Sequence, residues 1–271
     1  MSKKNGKEVG RDRDMPNLEK WFGTGVNPLV AINNQYSTPT GLGDAKSVGV
    51  VVEQFKGKIN LVMTCRHAFL DLHASSQIIL GHKSHNGIGI LRQESDAMYD
   101  REKDLDLAFF LAVDEQGTQK RLLRIPEEDL AMPANGIMFN AKNESSTWRH
   151  TYNVQLRRNV EVKERSIYSY FSTRDAGAEV VLHSDLSRQT ELEATGLHRH
   201  RVLQMQSRPG CSGSPVFSER GILYGINLRG TVPGDGRHEH CGDELVLLPV
   251  SAIVETRKRI DAYIQDALKN I

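Results

Sequence analysis

The sequence predicts an all-β protein, a barrel or sandwich of many short strands with one helix at its C-terminal end. Two observations predict it. Apolar runs rich in Val, Ile, Leu and aromatic residues recur about every dozen residues, with Gly, Pro, Asn or Asp between them. The period changes only after Pro249, where Ile253, Val254, Ile260, Tyr263, Ile264 and Leu268 fall on one face at helical spacing.

Residues 1–25 read as a polar tail, rich in both acids and bases and without periodicity. Leu29-Val30-Ala31-Ile32 is a short apolar run, and Ser37 to Asp44, with Pro39, Gly41 and Gly43, reads as turn-rich. Val48 to Phe55 and Ile59 to Thr64 read as two strands joined by Lys56-Gly57-Lys58, a hairpin signal. Strand-like segments follow at 77–80, 88–91 and 107–113. A second set begins with 122–125 and 136–140 and continues through 152–156, 160–162, 166–172, 180–182 and 202–206. Residues 216–217, 222–227 and 244–248 complete it. Pro249 suits the entry to the helix.

The bulk properties exclude several classes. A chain of 271 residues holds one large or two small domains with ample core. The formal net charge of +1 gives no field that would draw nucleic acid or an anionic membrane. Three cysteines, Cys65, Cys211 and Cys241, are too few for a disulfide scaffold and suit a reducing compartment. The N-terminus has no apolar core of a secretory signal, and no apolar run approaches the roughly 18 residues of a membrane span. The expected location is the cytoplasm.

The chemistry centres on Gly210-Cys211-Ser212-Gly213-Ser214-Pro215-Val216-Phe217. Glycines on both sides of Ser212 permit a tight turn that exposes the hydroxyl and lets backbone N–H groups converge on one point. An acyl-transfer site needs both features, although a plain loop between strands has the same composition. Upstream, Thr64-Cys65-Arg66-His67 places a histidine at the end of an apolar strand, and Asp106-Leu107-Ala108 places an acid at the mouth of another. A carboxylate there needs a hydrogen-bonded partner, and an imidazole N–H is a natural one. Asp104, two positions earlier on the same side of a strand, is the rival acid.

In the order His67, Asp106, Ser212, these motifs resemble the chymotrypsin-like serine peptidases over about residues 26–268. Within that group, GCSGSPVF followed by Gly221-Ile222-Leu223-Tyr224-Gly225-Ile226-Asn227 looks most like the bacterial V8-type, glutamyl-endopeptidase-like branch. The resemblance implies two six-stranded antiparallel β-barrels with the active site between them. The first, about 26–121, would carry His67 and Asp106; the second, about 122–249, would carry Ser212; residues 250–271 would form the helix. It implies Ser212 as nucleophile, His67 as base, Asp106 as orienting acid and the N–H groups of Gly210 and Ser212 as oxyanion hole. It implies a protein or peptide substrate and no cofactor. Substrate contacts would come from Gln206 and Ser207 at the pocket floor and from Asn227, Leu228, Arg229 and Gly230 on the wall strand.

The chain departs from the pattern in places. Cys211 stands where digestive members carry the aspartate that pairs with a new N-terminus, so activation by that salt bridge is not expected. Viral cysteine relatives frame their thiol one position later, so Cys211 reads as a small packed thiol. Asn227 replaces the histidine of glutamate-specific members, and no acid sits at 206–207 to favour a basic side chain. Arg229 is either an acidic-side-chain selector or a solvated loop residue.

Arg237-His238-Glu239-His240-Cys241, with His198 and His200, lacks the second ligand pair a zinc site uses, so no metal is expected. Arg157-Arg158 and His198 to Arg201 carry no nucleic-acid signature. Two other readings stay open: a catalytically silent peptide-binding or scaffold module on the same fold, and an esterase-like acyl hydrolase. All three triad positions are occupied, which disfavours the first, and the chain order disfavours the second.

Overall fold

The computed structural model describes residues 28–38, 41–69, 77–80, 88–89, 97–100, 105–114, 117, 119–132, 137–142, 151–156, 164–172, 179–183, 198–203, 210–218, 220–230 and 245–271. The expected N-terminal tail, the 160–162 segment, Arg157-Arg158 and the 237–241 cluster lie outside them.

Two antiparallel sheets carry the fold. The first is built from β1 (Leu29–Thr38), β2 (Gly41–Phe55), β3 (Ile59–Thr64), β4 (Gln77–Leu80), β5 (Ile88–Gly89) and β6 (Ala108–Val113), in the order β5-β4-β1-β2-β3-β6. The turn-rich reading of 37–44 gives way here. β1 and β2 stay paired out to Thr38↔Gly41, so most of that segment is ladder. The Lys56-Gly57 turn behaves as its residues require. Both have positive φ (50° and 71°), and Lys58 N–H closes onto the Phe55 carbonyl at 3.1 Å, the twist that matches two antiparallel strands.

The second sheet holds eight strands where six were expected. They are β7 (Ile137–Lys142), β8 (Thr151–Leu156), β9 (Glu164–Ser172), β10 (Glu179–His183), β11 (His198–Leu203), β12 (Pro215–Phe217), β13 (Leu223–Gly230) and β14 (Leu245–Pro249). Their order is β10-β9-β11-β14-β13-β12-β7-β8. The count rises because hairpin β7–β8 joins the sheet through β12, in the single register pair Phe217↔Ile137. The expected strand at 122–125 is reduced to one parallel bridge, Arg124↔Ile222.

One core runs through both sheets. β3 is buried along its whole length, so both of its faces are covered. Leu61 and Met63 join Val48, Val50 and Phe109 from the first sheet and Phe217, Ile226 and Leu248 from the second. Val62 enters a separate cluster with Val30, Ile32 and Phe110.

The C-terminal helix is two helices, α1 (Val250–Arg259) and α2 (Asp261–Lys269). Ile260 separates them with φ −91° and ψ 3°, outside the helical well. Its buried side chain, with Ile253 and Ile264, extends the shared core. Pro249 offers no capping side chain, and Asp129 takes that role from outside the helix. Its carboxylate accepts Ser251 N–H at 2.9 Å and Ser251 Oγ–H at 2.8 Å. Arg257 then ties α1 to the first sheet through Glu53 of β2 at 2.8 Å. Among the described residues, no helix is long and apolar enough to cross a membrane.

Ile264 has no exposed surface whereas its neighbour Tyr263 is 63% exposed. Ile264→Ala is therefore expected to cost about 2–5 kcal/mol through lost burial and a residual cavity. Tyr263→Ala should stay within about 0.5 kcal/mol of the parent. Urea midpoints measure both, and equal losses would contradict this placement of the helix pair.

Candidate active site

The site grows from three strand ends. β3 ends at Thr64, and a 3-10 turn over Arg66–Phe69 carries His67 out of the sheet with its side chain 29% exposed. Asp106 lies in the tight turn entering β6, where Leu107 N–H bonds the Leu105 carbonyl at 2.8 Å. The acid is 2% exposed, and both of its oxygens are engaged by one residue. Oδ1 accepts the backbone N–H of His67 at 2.8 Å, and Oδ2 accepts Nδ1–H at 2.7 Å. Two bonds fix the position of the histidine backbone and the tautomer of its ring together. Asp104, the rival acid, lies outside the described residues.

The 210–214 turn reaches the same place from the second sheet. Gly210 and Gly213 have φ of 88° and 76°, in the left-handed region that favours glycine. Ser214 N–H closes the turn on the Cys211 carbonyl at 3.0 Å. On one side, the Ser212 carbonyl accepts Val48 N–H from β2 at 2.8 Å. On the other, Gly213 N–H donates to the Asn227 carbonyl and Asn227 N–H to the Ser214 carbonyl, both at 2.8 Å. The Asn227 amide adds a bond from Nδ2 to the Cys211 carbonyl at 3.0 Å. Thr64 Oγ1–H donates to the Val48 carbonyl at 2.8 Å, joining the strand end that delivers His67 to the strand that holds Ser212.

At Gly213 the turn lies tight against the first sheet. A Cβ there would be driven into the Val48 carbonyl oxygen and the Thr64 hydroxyl, so no other residue fits without moving the turn. Cys211 packs with Leu203, Val216, Tyr224, Leu245 and Leu247, as a small packed thiol does.

Ser212 is half-buried, and among the described residues its Oγ makes no hydrogen bond to His67. Neither the Gly210 nor the Ser212 N–H is used in a hydrogen bond among the described residues. Both donors are therefore available beside Ser212 in the chain. The Nε2 edge of His67 faces the Cys65 sulfur at 3.5 Å, a contact with no sequence signal.

Of the proposed wall residues, Asn227 and Leu228 are buried and Arg229 is half-buried, with Gly230 ending β13. Asn227 is committed to holding the Cys211 carbonyl, a role its place in a β-strand did not reveal. Gln206 and Ser207 lie outside the described residues. No group of three His, Cys, Asp or Glu able to hold a metal ion occurs among the described residues.

No protein-family model matches this chain, and no curated protein matches it in sequence. Solved structures do match. The Rv3671c protease from M. tuberculosis, in its active form, superposes with a TM-score of 0.52 at 13% identity, covering 87% of this chain and 82% of that one. The HtrA-type protease AlgW with a tripeptide gives 0.50 at 13% identity, covering 87% of this chain and 60% of that one. The fold is trypsin-like. At this identity the likeness is one of fold, and neither neighbour selects the V8-type branch.

Burial disfavours a charged imidazole at His67, but the Asp106 carboxylate and, behind it, Cys65 outweigh burial and hold the pKa well above the ordinary 6.5. The native state thus binds this proton more tightly than the unfolded chain does. The resulting stability is fully present below about 6.5 and is lost as pH rises through the raised native value. Urea midpoints should fall over that window in the parent and fall less in Asp106→Asn. Identical pH dependence in the two proteins would contradict the coupling.

Proposed function

We propose that the protein is a serine endopeptidase acting through Ser212, His67 and Asp106. The observation that carries the reading is the two-oxygen grip of Asp106 on His67, close to a 210–214 turn that is bonded to Val48 and leaves the Gly210 and Ser212 N–H groups unused among the described residues.

The chemistry follows from the groups present. Ser212 Oγ attacks a peptide carbonyl carbon while His67 Nε2 takes its proton. Asp106 keeps Nδ1 as the donor and stabilises the imidazolium that forms. The N–H groups of Gly210 and Ser212 hold the oxyanion, and losing one such donor costs about 3 kcal/mol of transition-state stabilisation. His67 returns the proton to the leaving amine, and water then releases the acyl group by the same route. The substrate class is a protein or peptide. The V8-type likeness rests on GCSGSPVF and the segment after it, and a reducing, cytoplasmic setting rests on the low cysteine count. The barrel assignments, residues 26–121 for the base and acid and 122–249 for the nucleophile, belong to the same proposal.

One observation favours a second reading, a silent peptide-binding module on the same fold. His67 directs Nε2 at Cys65 and makes no hydrogen bond to Ser212 Oγ. Cleavage of a peptide library, read by mass spectrometry, separates the two. Ser212→Ala and His67→Ala should fall to background, and Asp106→Asn should drop roughly 10⁴-fold. Cleavage by Ser212→Ala at the parent rate would rule out the proposal, and binding without cleavage by the parent would favour the module.

A further inference from the structure

We infer that Cys65 is a positioning residue of this site, whose thiol holds the Nε2 edge of His67 in a resting arrangement that must be released before the ring serves Ser212. The inference rests on the reading of Ser212 as nucleophile and says how that site is held between turnovers.

Proton accounting carries it. Asp106 Oδ2 takes the Nδ1–H of His67 at 2.7 Å, so in the neutral ring Nε2 is a bare lone pair. That lone pair is what a general base needs, and the Cys65 sulfur faces it at 3.5 Å. Thr64 lies near the sulfur at 4.0 Å, but its only hydroxyl proton goes to the Val48 carbonyl at 2.8 Å. Oγ1 can still accept, but Nε2 at 3.5 Å is the nearer acceptor, and the thiol proton is directed to it. In the neutral ring the lone pair accepts a hydrogen bond from the thiol; in the imidazolium, Nε2–H points at the sulfur. In both forms Nε2 is occupied. Cys65 has no exposed surface, so this contact is made from inside the protein and leaves the outer side of the ring to a substrate.

Among the described residues, other charged groups do not compete for the ring. Among those residues, Asp106 and Cys65 are the ionisable groups that act on it. The Arg66 guanidinium, next in the chain, lies over the Tyr99 ring at 3.8 Å. Cys211, beside the nucleophile, is packed into the second sheet. A thiol is a weak hydrogen-bond partner, so the hold is modest and reversible.

The test compares the parent with Cys65→Ala and Cys65→Ser. It uses the rate of covalent inactivation by a fluorophosphonate and the NMR titration of the His67 ring. Cys65→Ala should be inactivated several-fold faster above the titration midpoint, and its His67 midpoint should move to lower pH. Cys65→Ser keeps an O–H for Nε2 but no readily ionised group. Its midpoint should follow that of Cys65→Ala while its rate stays nearer the parent's. An unchanged midpoint in Cys65→Ala would overturn the inference. So would slower inactivation at an unshifted midpoint, the outcome of a packing role alone. A shifted midpoint with no labelling of the parent would uphold the Cys65–His67 coupling and reject the nucleophile instead.

Discussion

The site depends on one constraint: the 210–214 turn must be gripped by both sheets at once. Val48 of β2 holds the Ser212 carbonyl, and Asn227 of β13 holds the Gly213 N–H and the Ser214 and Cys211 carbonyls. Backbone bonds of about 2.8 Å leave little freedom, and a buried donor or acceptor stripped of its partner costs about 1–3 kcal/mol. The turn cannot drift from either sheet without that loss. Gly213 permits the approach because any side chain would collide with the Val48–Thr64 contact. His67 is governed by the same contact, since Thr64 is bonded to Val48 three residues before it.

The rest of the molecule keeps that junction rigid. A single apolar core passes from β2, β3 and β6 through β12, β13 and β14 to the C-terminal helices. α1 begins where β14 ends, and β14 pairs along β13, the strand that supplies Asn227. Arg257 returns from α1 to Glu53 on β2, so the helix bridges the two strands that hold the turn. A half-buried, solvent-reachable pair of this kind contributes about 1 kcal/mol. Its place across the junction therefore matters more than its strength, and the buried isoleucines carry most of the attachment.

Much of this was legible in the residues. Period-two runs marked most strands, Lys56-Gly57 marked a hairpin, and the glycine-framed Ser212 marked the turn. The helix was legible as an apolar face, but its break at Ile260 was not, because the break is a backbone departure between two good helix-forming segments. Residues 37–44 were read as turn-rich, yet 37–38 and 41–44 are the paired ends of β1 and β2, because cross-strand pairing carries the hairpin ladder out to Thr38↔Gly41. Cys65 and Asn227 were opaque for a different reason. Their roles are set by which backbone or ring atom another strand brings to them, and nothing in the local pattern encodes that.

The central claim is that Ser212 is the activated nucleophile of this site. Treating the full chain with a fluorophosphonate and locating the adduct by peptide mass spectrometry tests it most directly. The account predicts one adduct, on Ser212, that does not form after denaturation. An adduct on any other residue, or equal modification of native and denatured protein, would contradict it.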